Sequence, residues 1–209
     1  MGTKETKKID AIILAAGSLE RGYDKEFPKA LFKIGNKTLA EYQIEFLKPH
    51  VNKIIMACTE KEAKEIKKKV KGKVVFATTS DLPGTSGSLK KALEFATTNQ
   101  IIVINVDDLT DIDLRALINF GTNTVCVANP RLQYGVVEID GQEIKSFHEK
   151  PILKNVWVNC GVYFLNKDIA KKLPKRGNIA RDIFPYMKLK AYRHFGSWRT
   201  INDYTTMLE

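Results

Sequence analysis

Before Pro130 the chain alternates short apolar runs with longer amphipathic stretches. Ile9–Ala15, Lys53–Cys58, Val74–Ala77, Ile101–Asn105 and Thr124–Ala128 are brief and β-branched. Such runs suit strands buried on both faces of a parallel sheet. Between them, residues 38–48, 60–70, 87–97 and 112–119 read as helices. This alternation predicts βαβ units, whose right-handed crossovers bring the loop ends of several strands to one edge. After Pro130 the pattern changes. Gly135–Ile139, Glu143–His148 and Val156–Phe164 read as antiparallel strands, with Asp140-Gly141 as a turn. A helical tail over 179–186, a strand over 189–195 and a closing helix over 202–208 complete the reading. The expected architecture is one α/β domain, residues 1–209, with a mixed, mostly parallel sheet and a flexible polar tail at 1–8.

Composition narrows the function classes. A chain of 209 residues can bury a sizeable core. No apolar stretch approaches the roughly 20 residues of a membrane helix, and the lysine-rich start does not resemble a secretory signal. Cys58, Cys126 and Cys160 sit far apart in apolar runs, so buried reduced thiols in a cytoplasmic protein are expected. His50, His148 and His194 have no metal-ligand spacing. The formal charge is +10, much of it within Lys61–Lys73. There Ala63, Ile66 and Val70 form an apolar stripe, and the lysines, with Glu62 and Glu65, are expected to face water. No aromatic residue interleaves with these lysines, so neither a nucleic-acid partner nor a membrane is expected.

Charge matters more where it is sparse. The first apolar run ends in Gly17, and a polar loop then carries Arg21, Pro28 and Lys29. A strand, a glycine turn and two cations suit phosphate groups at the carboxyl edge of a sheet. An ordinary loop holding Arg and Lys is the plainer alternative. Neither the Walker A lysine nor the second and third glycines of a dinucleotide fingerprint follow. Gly84-Thr85-Ser86-Gly87-Ser88 precedes a helix. It reads as a ligand loop, or as a cap formed by Thr85 or Ser86. Asn105-Val106-Asp107-Asp108 ends an apolar strand, where an α/β enzyme holds Mg²⁺ over phosphate. Asp107 or Asp108 could instead cap the next helix, but Asp111 and Asp113 are available for that. Glu149-Lys150-Pro151 reads as a turn. Asn159 and Gly161 are out of place in a strand interior.

In order, these pieces resemble the sugar-phosphate nucleotidyltransferase family. The resemblance rests on Ile12-Leu14-Ala15-Ala16-Gly17, Arg21, Phe27-Pro28-Lys29-Ala30-Leu31, Gly84 to Leu89 and Asn105-Val106-Asp107. It continues through Gly135-Val136-Val137, Glu149-Lys150-Pro151, Asn159 to Tyr163 and Trp198, and so covers nearly the whole chain. It implies a Rossmann-like nucleotide-diphospho-sugar transferase domain. The implied reaction joins a nucleoside triphosphate and a sugar 1-phosphate into an NDP-sugar and pyrophosphate, with no covalent intermediate. By resemblance, Arg21 holds the triphosphate, Lys29 neutralises the α-phosphate, and Asp107 binds Mg²⁺. Ala15, Gly17, Gly84, Thr85 and Ser86 would receive the nucleotide. Gly135, Glu149, Lys150 and Asn159 would line the sugar-phosphate side.

Three departures stand out. Leu19 and Glu20 replace a glycine and a Thr or Ser before Arg21. The segment from Arg21 to Pro28 is short and lacks a Pro-Leu-Thr. Thr200 stands where relatives carry a second metal aspartate, with Asn202 the expected substitute and Asp203 behind it. Mannose 1-phosphate with GTP is the favoured substrate pair, then glucose 1-phosphate with UTP or dTTP. A cytidylyltransferase for a small phospho-alcohol and a non-catalytic regulatory homologue are the rivals. The family often forms homo-oligomers.

Overall fold

The computed structural model describes residues 9–17 and 27–201. Arg21, Leu19, Glu20, Asn202, Asp203, the 1–8 tail and the closing helix at 202–208 lie outside the described residues.

Strand β1 (Ile9–Leu14) is followed by a 3-10 turn (Lys29–Leu31), the small hairpin β2 (Lys33–Ile34) and β3 (Lys37–Thr38), and helix α1 (Leu39–Leu47). Then come β4 (Val51–Thr59), α2 (Glu60–Lys69), β5 (Val75–Thr79), α3 (Gly84–Leu93), β6 (Gln100–Asn105), β7 (Asp108–Thr110), α4 (Leu114–Phe120) and β8 (Thr124–Ala128). The ribbon β9 (Val136–Asp140) and β10 (Glu143–His148) leads into β11 (Val158–Asn166). The short helix α5 (Ile179–Asp182), β12 (Lys190–His194) and β13 (Trp198–Thr200) end the described chain.

Seven strands form one sheet in the order β12-β8-β11-β6-β1-β4-β5. All run the same way except β11, which inserts antiparallel between β6 and β8. Alternate residues of β1 serve opposite faces. Ile9, Ala11 and Ile13 pack with α1, α2 and α4, while Ile12 and Leu14 pack with α3. Burial on both faces is why the run reads as apolar throughout except for Asp10, whose carboxylate accepts from Thr97 N–H and Thr97 Oγ1. The mixed, mostly parallel sheet agrees with the sequence reading.

Helix starts follow local chemistry. Thr38 with Glu41 and Thr59 with Glu62 form capping boxes, and Asp113 caps α4 through the N–H groups of Arg115 and Ala116. Asp107 is therefore not needed as a cap.

Three local expectations are corrected, and two short strand pairs are added. Helix α3 begins at Gly84, so the supposed loop 84–88 is its first turns. Glu62 is buried rather than solvated, because its carboxylate is spent on backbone donors. The 179–186 helix breaks into α5 and a 3-10 turn at Phe184–Tyr186, where Pro185 removes a donor. The pairs β2–β3 and β7–β13 are too short to leave a periodic signal. The three cysteines are buried, and burial pushes the Cys58 thiol up to about 12. Among the described residues, no helix is long and apolar enough to cross a membrane.

Candidate active site

The carboxyl ends of β1, β4 and β6 meet at one edge of the sheet. Ala15 N–H donates to Ala57 O (2.8 Å) and Val106 N–H to Leu14 O (3.0 Å), which extends pairing past the strand ends. Ala15 is buried at this edge. Lys29 N–H donates to Gly17 O (3.0 Å), which places Lys29 beside the end of β1.

Lys29 and Asp107, assigned to phosphate and metal respectively, are in contact. Nζ of Lys29 forms an ion pair with Oδ2 of Asp107, with side chains 17% and 14% exposed. The backbone oxygen of Asp107 accepts from Ile201 N–H at 2.9 Å, which fixes the turn between β6 and β7. Gly17 N–H donates to Glu62 Oε1 at 2.8 Å. The other Glu62 oxygen accepts from Thr59 N–H (2.7 Å) and Thr59 Oγ1 (2.8 Å). The Gly17 donor therefore already holds a carboxylate, a partner that the spacing of residues 17 and 62 gave no means to foresee.

Behind Asp107 lies an acid that sequence reasoning passed over. Asp108 is 5% exposed. Its Oδ2 accepts from Asn105 Nδ2 (2.9 Å) and its Oδ1 from Trp198 Nε1 (3.0 Å), with Thr200 a further donor. Gln43, buried on α1, donates to the Asp108 carbonyl at 2.8 Å. Burial and the neighbouring Asp107 charge raise the Asp108 carboxyl to about 7, against the pull of those donors. The Asp-Asp doublet after an apolar strand was the available signal, but only the long-range Trp198 contact shows which of the two is buried.

Two outcomes follow from this cluster. Trp198→Phe removes the donor to Oδ1 and is expected to cost ~1–3 kcal/mol of stability, read by urea denaturation. The second concerns pH. Folded Asp108 holds its proton up to about 7, whereas the unfolded group releases it near 3.8. In that window the native state binds more protons, so this group's contribution to stability falls as pH rises through it. Melting temperatures across the window should show that fall, and Asp108→Asn should flatten it.

Gly161 explains the odd glycine in β11. A Cβ there would lie 1.8 Å from Asp108 Oδ2 and 2.6 Å from Asn105 Nδ2. Asn159 holds this bulge, accepting from Gly161 N–H at 3.0 Å and donating to Tyr163 Oη at 2.9 Å. Asn159 thus joins the Asp108 cluster through Gly161. On the ribbon side, Gly135 packs on the Phe147 ring, and its Cβ position lies 3.0 Å from Glu149 Oε2. Lys150 adopts φ of 46°, and its carbonyl accepts from Arg131 Nη1 at 3.3 Å. The backbone therefore turns at Lys150, just before Pro151. A cavity of about 290 Å³, unforeseen from sequence, opens beside Trp198 between the ends of β8 and β12. Asn129, Arg131, Ile152, Phe195 and Arg199 also line it.

The glycines of the 84–88 segment have a structural cause. A Cβ on Gly84 would lie 2.3 Å from Gly177 O, and one on Gly87 2.2 Å from Lys175 O. The chain's own backbone makes the close approach expected of a ligand. Ser86 is buried, its N–H donates to Gly177 O (3.0 Å), and Thr85 Oγ1 accepts from Ile179 N–H (2.9 Å). Gly84 itself remains exposed at the head of α3.

Asp107 offers one accessible carboxylate at the open edge, with the Thr200 hydroxyl in the β-pair behind it. Among the described residues, no cluster of three His, Cys, Asp or Glu side chains could hold a metal. One hard oxygen ligand still fits Mg²⁺, which takes one or two carboxylates and completes its shell with water and substrate phosphates.

The carboxyl edge of this doubly covered, mostly parallel sheet, the place where α/β folds bind their ligands, carries the lysine–aspartate pair. The nucleotidyl transferase family pattern matches residues 10–194, and the chain belongs to that family. One relative is D-glycero-alpha-D-manno-heptose 1-phosphate guanylyltransferase of Campylobacter jejuni. It is 30% identical over 198 residues, covering 88% of this chain and 89% of its own. The catalytic subunit beta of mannose-1-phosphate guanylyltransferase from Xenopus tropicalis is also 30% identical. That match covers 93% of this chain but only 61% of the longer frog protein. The crystal structure of HddC from Yersinia pseudotuberculosis superposes with a TM-score of 0.75 at 24% identity, covering 96% of each chain, and so shares the fold.

Proposed function

We propose that the chain transfers a guanylyl group from GTP to a manno-configured sugar 1-phosphate, a hexose or a heptose, giving a GDP-sugar and pyrophosphate. The contact of Lys29 with Asp107 at the carboxyl edge carries this reading. It sets a cation and a carboxylate side by side at the edge where a triphosphate and its metal would lie. The near end-to-end match to the Campylobacter jejuni enzyme supports the choice of base and sugar configuration.

The chemistry asks little of the protein beyond alignment and charge neutralisation. A phosphate oxygen of the sugar 1-phosphate attacks the α-phosphorus. The bond from that phosphorus to the β-phosphate bridge breaks, and pyrophosphate leaves. Lys29 stabilises charge on the α-phosphate oxygens, and Arg21 holds the β- and γ-phosphates. Asp107 would hold Mg²⁺, with Asn202 as a second ligand; the ion's part is to neutralise charge shared between the phosphates. Gly17 and the exposed Gly84 at the head of α3 frame the nucleotide, with Thr85 beside them and Ala15 and Ser86 buried behind. Gly135, Glu149, Lys150 and Asn159 face the sugar phosphate, Lys150 toward phosphate and the other side chains toward hydroxyls.

Pyrophosphate release tests the reading, measured with Mg²⁺ across the common nucleoside triphosphates and a panel of hexose and heptose 1-phosphates. Release with GTP and a manno-configured sugar is expected. Release confined to UTP or dTTP with glucose 1-phosphate would overturn the substrate assignment.

A further inference from the structure

Lys29 already gives the Asp107 carboxylate a cation. Asp108, the nearest second acid in sequence, is buried, and both its oxygens accept hydrogen bonds from Trp198 and Asn105. Thr200 brings a neutral hydroxyl. Among the described residues, a divalent cation arriving at Asp107 therefore meets one carboxylate and, in contact with it, an ammonium that repels it. Mg²⁺ gives up its water reluctantly, and a lone carboxylate already paired with a cation rewards that loss little. A triphosphate changes the balance, because its oxygens offer Lys29 new partners and offer the metal further ligands.

We propose that Lys29 is a resident counter-ion that bars free divalent metal from Asp107, so that metal enters only together with the nucleoside triphosphate. This ordering rests on the transfer reading above, which assigns Asp107 to the metal and Lys29 to phosphate. Lys29 then has two posts: Asp107 before the nucleotide arrives, the α-phosphate afterwards. One side chain thereby couples metal loading to nucleotide loading.

Mn²⁺ binding to the nucleotide-free protein, read from the electron-paramagnetic resonance signal of the free ion, tests the ordering without turnover. Lys29→Met should bind Mn²⁺ at least about tenfold more tightly than the wild type. Lys33→Met removes the same charge from the exposed β2 strand and should leave Mn²⁺ binding unchanged. Adding Asp107→Asn to Lys29→Met should abolish the gain, which places the ion at Asp107. A non-hydrolysable GTP analogue should restore tight Mn²⁺ binding in the wild type. Circular dichroism checks the fold, and Lys29→Gln serves if the methionine variant misfolds. Equal Mn²⁺ affinity in wild type and the Lys29 variant, or a gain that survives Asp107→Asn, would overturn the proposal. Failure of the wild type to release pyrophosphate with any substrate pair would instead remove the transfer reading. The Mn²⁺ comparison stands apart from that result.

Discussion

Asp107→Ala should lower Mg²⁺-dependent pyrophosphate release by at least ~100-fold while the protein stays folded. The side chain sits at the rim of the site, and its one described partner is Lys29. The bond that secures the turn uses the backbone oxygen of Asp107, which accepts from Ile201 N–H and survives the substitution. Losing the ion pair leaves Lys29 unpaired but able to reach water, a cost of ~1–3 kcal/mol. The chemical loss is larger because Asp108, the neighbouring acid, cannot replace the carboxylate, being buried and bonded at both oxygens. Steady-state kinetics with a Mg²⁺ titration, beside a thermal melt, separate the two effects. Retained turnover in a folded Asp107→Ala protein would remove Asp107 from the metal site.

Gly161→Ala should strongly destabilise the protein. Its φ of 71° costs an L-residue ~1–2 kcal/mol. The new methyl would also lie 1.8 Å from Asp108 Oδ2, so the carboxylate must leave Asn105 or Trp198. Breaking that buried network brings the expected loss to ~3 kcal/mol or more, together with most of the activity. Gly141→Ala supplies the control. Gly141 has a similar φ of 62°, but nothing lies within 4 Å of its Cβ position, so only the backbone cost of ~1 kcal/mol should appear. Urea denaturation of the two variants should separate strain from collision. Equal losses would mean that Asp108 moves aside freely and does not hold the site together.

The parallel core was legible because burial on both faces leaves a nearly unbroken apolar run, as in Ala11–Leu14 of β1 and Ile101–Ile104 of β6. The antiparallel character of β11 was legible too, but its place between β6 and β8 was not, since its apolar run reads the same whichever neighbours it takes. Lys29 and Asp107 could be singled out because each follows a strand end, and the fold brings those ends together. Asp108 was missed because a buried acid becomes visible only through its partners, and Trp198 lies 90 positions away. The glycines at 84 and 87 misled for a related reason. They signal close approach, and the segment that approaches is residues 175–177 of the same chain. Glu62 was taken for a solvated charge because its neighbours are lysines, although its position three residues after Thr59 is the signature of a capping box.

The most direct measurement follows the α-phosphorus. The protein is incubated with Mg²⁺, GTP labelled at the α-phosphate and a manno-configured sugar 1-phosphate, and the products are resolved by chromatography. The account predicts that the label moves into a GDP-sugar, one pyrophosphate being released for each label transferred, and only when the sugar phosphate is present. Label released as free GMP, or left in GTP while the other triphosphates and sugar phosphates also give no product, would contradict it.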